Sequence, residues 1–328
     1  MNYLDTQIGT ALVPYDIGLD PDDPASAFGL LLAGLRDGVK GALLTTVNIE
    51  GGAPRSVGTH MAVLADGRYC GYVSGGCVEA AVAAEAMAVM ARGRDTVLRF
   101  GRNSPFFDIR LPCGGGIDVH IHVNPAPKLL EAAATKLAQR RPFDIALDPK
   151  AGTATILDHG SAAAPEPFRR RYRPATRLVL VGQGNELAVM ASTARAAGLG
   201  VAAYATGTGA LAAANRVGTE VVEIAAFDRT ADLQIDAWTA VIFLFHDHAS
   251  EAALLAEALG SNAFYIGALG SRRTHTERVS RLLAAGLSED AISRIHAPIG
   301  MIERTREATP LAFSVLADIT RERMRLEA

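Results

Sequence analysis

Leu178-Val179-Leu180-Val181-Gly182-Gln183-Gly184-Asn185-Glu186-Leu187, written LVLVGQGNEL, is the stretch whose reading decides the fold of this chain. Four consecutive apolar residues without polar alternation predict a short strand buried on both faces, as in a parallel sheet. Gly182-Gln183-Gly184 then turns the chain into a helical stretch over 187–197, closed by Gly198. The pattern recurs downstream: 201–204, 240–245 and 264–266 read as buried strands alternating with helical stretches, the last over 309–325. Strand and helix alternating at this spacing predict a Rossmann-like, doubly wound parallel sheet.

The turn is also the start of a dinucleotide fingerprint, in which glycines let backbone amides approach a pyrophosphate at a helix N-terminus. The fingerprint is incomplete. Its third glycine would fall at Leu187, and Tyr204-Ala205-Thr206-Gly207 offers no acid for a ribose hydroxyl. The turn therefore argues for the fold more than for NAD(P), because fold and ligand are separate claims.

Upstream, the small-residue segment SAAAPEP and the basic run Arg169-Arg170-Arg171-Tyr172-Arg173-Pro174 read as a linker. The expected fold class is thus α/β, with an N-terminal α/β cofactor-binding domain over 1–168 followed by the Rossmann-like domain over 175–328. With 328 residues the chain has room for two cores. In the first domain Asp23-Pro24 opens a helix ending at Gly38, and 41–49, 61–64, 96–100 and 117–123 read as strands. A loop, GGAPRSVG, separates the first two strands, and an alanine-rich helix ending at Gly93 follows Ser74-Gly75-Gly76-Cys77.

A formal net charge of −3 supplies no field for nucleic acid. Three cysteines, Cys70, Cys77 and Cys113, form no disulfide framework and suit a reducing cytoplasm. The N-terminus has no signal-peptide pattern, and no run of about 18 apolar residues offers a membrane span.

Ser74-Gly75-Gly76-Cys77-Val78-Glu79 places a thiol at a helix start, where two glycines allow a nest of amide donors for an anion and the dipole favours thiolate. Ordinary turn chemistry explains the glycines equally. Cys113-Gly114-Gly115-Gly116 repeats the theme just before a strand, and Cys70 reads as core. Asp118, His120 and His122 alternate onto one strand face, a set that could hold a metal but that reads rather as a solvated polar face. No metal site is expected, because neither HExxH nor a CxxC pair occurs. His246-Asp247-His248 follows a buried strand at its carboxyl end, where open parallel sheets bind ligands. Gly267 and Gly270 belong to a glycine-rich turn before Ser271, Arg272 and Arg273, whose guanidinium groups suit an anion.

GGAPRSVGTHM, GYVSGGCVEAAV, CGGGIDV, LVLVGQGNELA, TAVIFLFHDHA, YIGALGSRRTH and IHAPIG, in this order, together resemble the XdhC/CoxI family. These are molybdenum-cofactor chaperones of the xanthine dehydrogenase accessory type. The resemblance implies a non-enzymatic accessory protein that binds the molybdenum cofactor, as molybdopterin or its cytosine dinucleotide form. Such a protein shields the cofactor, supports its sulfuration and inserts it into an apo-molybdenum hydroxylase. It also implies a homodimer in the cytoplasm, in contact with a cysteine desulfurase and a molybdopterin cytidylyltransferase. The implied cofactor contacts are Arg55, Ser74, Gly75, Gly76, Cys77, Glu79, Cys113, Gly114 and Gly115, joined in the second domain by Gly182, Gly184, His246, Asp247, Gly267, Ser271 and Arg272. No catalytic residue is assigned. The alternative is an NAD(P)-dependent oxidoreductase built on the second domain.

Overall fold

Asp23 caps the first long helix, accepting from the Ala25 main-chain nitrogen at 2.9 Å, and Pro24 supplies the pre-set φ of the first turn. The computed structural model describes residues 12–14, 23–106, 111, 113–161, 168–206, 219–224, 226–227, 230–245, 251–302, 305 and 307–327. The chain forms two compact units, Met1–Pro174 and Ala175–Ala328.

In the first unit, β1 (Val13–Pro14), β2 (Gly41–Glu50), β3 (His60–Leu64), β4 (Arg68–Gly71), β5 (Thr96–Gly101) and β6 (Gly116–Val123) form one sheet. Its order is β1-β4-β3-β2-β6-β5, antiparallel except for the β1–β4 pair. Leu44, Met61, Val63, Val119 and Ile121 turn one face toward α2 (Glu79–Arg92), where Val82, Ala83, Ala86 and Val89 complete a core. Leu43, Ala62 and Leu64 turn the other face toward Phe28 and Leu31 of α1 (Pro24–Arg36) and Leu130 and Ala133 of α3 (Pro127–Ala138). Alternation along each strand thus feeds two cores, one per face.

The sequence predicts none of α3, β7 (Phe143–Asp148) and β8 (Thr153–Asp158), and it predicts a linker at the arginine run. That run is instead β9 (Phe168–Tyr172), in a second, antiparallel sheet ordered β8-β7-β9. Two contacts outweigh its polarity. Arg169 Nε donates to the fully buried Asp144 carboxylate at 2.5 Å, and the Tyr172 ring stacks on Phe143 with centroids 4.6 Å apart.

The second unit contains β10 (Arg177–Gly182), β11 (Gly200–Ala205), β12 (Glu220–Glu223), β13 (Thr239–Leu244), β14 (Tyr265–Ala268) and β15 (Ile295–His296). All pair in parallel, in the order β12-β11-β10-β13-β14-β15. This is the strand order of the Rossmann sheet, with the reversal between β10 and β13. One face packs on α4 (Asn185–Ala196) and on the C-terminal helix. The other packs on α5 (Ala252–Leu259), α6 (Arg272–Ala284) and α7 (Glu289–Ser293). The C-terminal helix is α8 (Ala308–Glu327). Among the described residues no helix is long and apolar enough to cross a membrane.

Candidate functional site

Two loops of the first unit present thiols to solvent. Cys77 and Cys113 are exposed, whereas Cys70 is 7% exposed in β4 and donates to the Ser26 carbonyl at 3.3 Å. Burial pushes the Cys70 thiol up to about 12, as its reading as core requires.

The loop carrying Cys77 owes its shape to Glu79, the first residue of α2. The Glu79 carboxylate is 4% exposed and accepts from the main-chain nitrogens of Val73 (3.0 Å), Ser74 (2.7 Å) and Val78 (3.2 Å). It also accepts from the Ser74 hydroxyl, whose oxygen in turn receives the main-chain N–H groups of Cys77 at 3.2 Å and Val78 at 3.1 Å. Of the amide donors expected of SGGC, those of Ser74 and Cys77 are therefore taken up from within, by Glu79 and by Ser74 Oγ. Ser74 and Glu79, expected among the cofactor contacts, are buried beneath the loop and shape it. Gly75 and Gly76, at φ +83° and +102°, make the left-handed turn above them and remain exposed, as L side chains would not without strain.

The loop at 113–116 is held by contact with residues 51–55, which follow β2. A Cβ placed on Gly115 would lie 1.9 Å from the Gly52 carbonyl oxygen, so the two backbones touch directly. Gly52 in turn approaches the Cys113 carbonyl, with a built Cβ 3.4 Å from that oxygen. At the other end of the same segment, Arg55 lies against Gly75, whose built Cβ would stand 3.7 Å from its Nε. The Arg55 guanidinium also covers the Tyr72 ring, 5.5 Å from the centroid. Residues 51–55 thus touch both thiol loops and join them into one surface carrying Arg55, Gly75, Gly76, Cys77, Cys113 and Gly114, with Gly115 buried below it.

In the second unit, Gly182 ends β10 packed against β13, its built Cβ 2.3 Å from the Leu244 carbonyl, and Gly184 is the exposed N-cap of α4. Gly267 lies inside β14, buried under Ile299, and not in the turn that sequence reading gave it. Ser271 caps α6, accepting from the Thr274 main-chain nitrogen at 3.2 Å, and Arg272 opens that helix. His246 and Asp247 fall outside the described residues.

The polar face expected of β6 is not solvated. Asp118 pairs with Arg99 and Asn48, while His120 and His122 are buried and both hydrogen-bond Asp95, a residue that sequence reading did not single out. No local signal marks Asp95, which lies 25 residues before His120 and reaches it only through the β5–β6 pairing.

The family model described as the XdhC and CoxI family matches residues 35–101, and that described as the XdhC Rossmann domain matches 178–319. The molybdenum cofactor insertion chaperone PaoD of Escherichia coli (strain K12) is 39% identical over 308 residues, covering 93% of this chain and 91% of the relative. A protein of Bacillus subtilis (strain 168) described as a probable xanthine dehydrogenase subunit is 25% identical, covering 90% of this chain and 97% of the relative. In three dimensions the chain is similar to the crystal structure of a xanthine dehydrogenase from Bacillus halodurans. The TM-score is 0.69 at 19% identity, over 91% of this chain and 96% of that one, a likeness of fold. The first match spans the Cys77 loop and residues 51–55, the second nearly all of the parallel sheet, and the chaperone aligns across both: the chain belongs to the XdhC and CoxI family.

Proposed function

We propose that this protein is a molybdenum cofactor chaperone. It carries the cofactor on the surface joined by residues 51–55 and inserts it into a molybdenum hydroxylase of the xanthine dehydrogenase or aldehyde oxidase class. The observation that carries the reading is the pair of exposed thiols on two glycine loops held together by one segment. Soft thiolates suit molybdenum and sulfur, and an adjacent guanidinium suits a pterin phosphate. A relative named as an insertion chaperone, 39% identical over most of both chains, supports the same reading.

On this proposal Arg55, Gly75, Gly76, Cys77, Cys113 and Gly114 meet the cargo, while Ser74, Glu79 and Gly115 keep those residues in place. The amides of Ser74, Cys77 and Val78 already have acceptors inside the loop, so the phosphate of the cargo is assigned to Arg55 and the exposed Gly75–Gly76 main chain beside it. Protection of the cofactor, support of its sulfuration with a cysteine desulfurase, and a handover from a molybdopterin cytidylyltransferase belong to the same proposal. So do a homodimer, a cytoplasmic location and the choice between plain and cytidylated cofactor. The protein acts as a carrier, with no turnover of its own. Gly182, Gly184, His246, Asp247, Gly267, Ser271 and Arg272 stand as proposed contacts of the second unit, with Gly182 and Gly267 contributing through packing.

Anaerobic purification from a molybdenum-replete host tests the proposal, with molybdenum and the fluorescent oxidised pterin measured per chain. Near-stoichiometric cofactor in the wild type, falling in Cys77→Ser and Cys113→Ser while the circular dichroism stays unchanged, is expected. No pterin above an unrelated control would overturn the carrier reading and send the search to nicotinamide nucleotides.

A further inference from the structure

At the end of β6 opposite the Cys113 loop, two imidazoles and a carboxylate converge. His120 Nε2 lies 3.0 Å and His122 Nδ1 2.7 Å from one and the same oxygen, Asp95 Oδ2. The second oxygen, Oδ1, accepts from the Val123 main-chain nitrogen at 3.0 Å. The side chains of His120, His122 and Asp95 are 0%, 8% and 4% exposed. One donor atom from each lies within 4.8 Å of the others. The turn between β7 and β8 approaches the carboxyl at Gly152, which, at φ +67°, would carry a Cβ 3.7 Å from Asp95 Cγ.

We propose that Asp95, His120 and His122 form a binding site for a divalent transition cation of the zinc, cobalt or nickel kind, separate from the thiol surface. Two imidazole nitrogens and one carboxylate oxygen are the donor set that such borderline cations take, and the i, i+2 spacing on a strand puts both rings on one face. Metal–ligand bonds of about 2.0–2.2 Å at tetrahedral angles hold neighbouring donors about 3.4 Å apart. The two nitrogen-to-oxygen spacings are therefore about half an ångström short of that, and all three donors lie within 4.8 Å of one another, a set that small rotations of the rings would open around an ion. The second ring, aimed at the same oxygen, completes a three-point site and leaves a fourth position for water.

His120 Nδ1, on the far side of its ring, has no partner among the described residues. Without an outer acceptor to fix the tautomer, binding is expected to be micromolar and exchangeable.

The test uses full-length protein carrying Cys77→Ser and Cys113→Ser, which removes the competing thiols, freed of metal with a chelator and titrated with Co(II). One equivalent, visible d–d bands and no thiolate-to-metal charge transfer are the expected result. Asp95→Asn and His122→Gln should each weaken binding by about tenfold or more. X-ray absorption on the cobalt-loaded protein makes the test independent of those variants, and two imidazoles in the shell are expected. An oxygen-only shell, the absence of saturable binding, or affinity unchanged in Asp95→Asn would overturn the proposal.

Discussion

The Glu79 carboxylate lies 2.7 Å from the main-chain nitrogen of Ser74, five residues before it, so the helix that follows the Cys77 loop also supplies the anion that shapes it. Replacing Glu79 by Ala leaves the main-chain donors of Val73 and Ser74 buried without acceptors. Charge-assisted hydrogen bonds of this kind support a loss of about 2–4 kcal/mol in the stability of the first unit. Glu79→Gln keeps an acceptor and should lose less than half of that. Denaturation followed by circular dichroism reads both, and equal losses would show that the charge of the carboxylate, not the shape of the side chain, holds the loop.

Native alkylation should separate the thiols two to one. Cys77 and Cys113 are exposed, whereas Cys70 is buried and pushed up to about 12 by that burial. Intact mass after N-ethylmaleimide should show two adducts under native conditions and a third only in denaturant. A third native adduct would mean that the strand carrying Cys70 opens readily.

Gly114 and Gly115 should differ sharply in their tolerance of a methyl group. At Gly115 a Cβ would stand 1.9 Å from the Gly52 carbonyl oxygen, and the two backbones must part to admit it. Gly115→Ala should therefore disrupt the joined loops and lose cofactor. At Gly114 no atom of the described residues lies within 4 Å of a built Cβ, although φ is +69°. Gly114→Ala then carries only the backbone penalty of about 1 kcal/mol. Melting temperature and pterin content of the two variants decide the matter together.

Acid should destabilise the first unit through His60. Desolvation by burial, reinforced by the Arg170 charge and only partly offset by the Leu44 carbonyl, lowers this histidine to about 3. Its ring is locked against the Tyr172 hydroxyl and Thr45 Oγ1. The folded value lies below the unfolded one of about 6.5, so the unfolded chain binds the extra proton and stability falls as pH drops from about 6.5 toward 3. Between pH 7 and 4.5 the loss attributable to His60 is about 2–3 kcal/mol. Urea denaturation of wild type and His60→Phe at both pH values tests it, and an equal acid loss in the two proteins would remove His60 as the cause.

The second unit has its own vulnerable pair. Arg278 Nε donates to Glu251 Oε1 at 2.6 Å with both side chains 2% exposed, and its Nη2 donates to the Leu269 carbonyl at 2.7 Å. Arg278→Ala takes the guanidinium away from a buried carboxylate and should cost about 3–5 kcal/mol. The chain has a single tryptophan, Trp238, in this unit, so its fluorescence follows this transition selectively. A midpoint unchanged from wild type would mean that water enters and solvates Glu251.

Much of the second unit was legible from LVLVGQGNEL outward, because doubly buried strands are unbroken apolar runs and glycine turns punctuate them. The first unit was legible wherever a helix cap or a period of two stood clear, as at Asp23-Pro24 and along 117–123. Polar strands misled the reading. Arg169-Arg170-Arg171 carries no apolar period, and only Asp144 and Phe143, contributed by a neighbouring strand, reveal it as β9. Gly267 was placed in a turn because glycine ordinarily marks one, yet here it makes room for Ile299.

Local order determined the rest of what could be read: that Cys77 precedes a helix, that Cys113 precedes a strand, and that Cys70 belongs to the core. These follow from residue type and spacing within a few positions. Only the tertiary structure decided that residues 51–55 join the two thiol loops, that Glu79 accepts from Val73, Ser74 and Val78 beneath Cys77, and that Asp95 meets His120 and His122. The joined loops and the Asp95 cluster depend on which backbones lie side by side in the sheet, and strand pairing between distant segments leaves no period in the sequence, while the Glu79 contact depends on how the loop between residues 73 and 79 folds back on its helix.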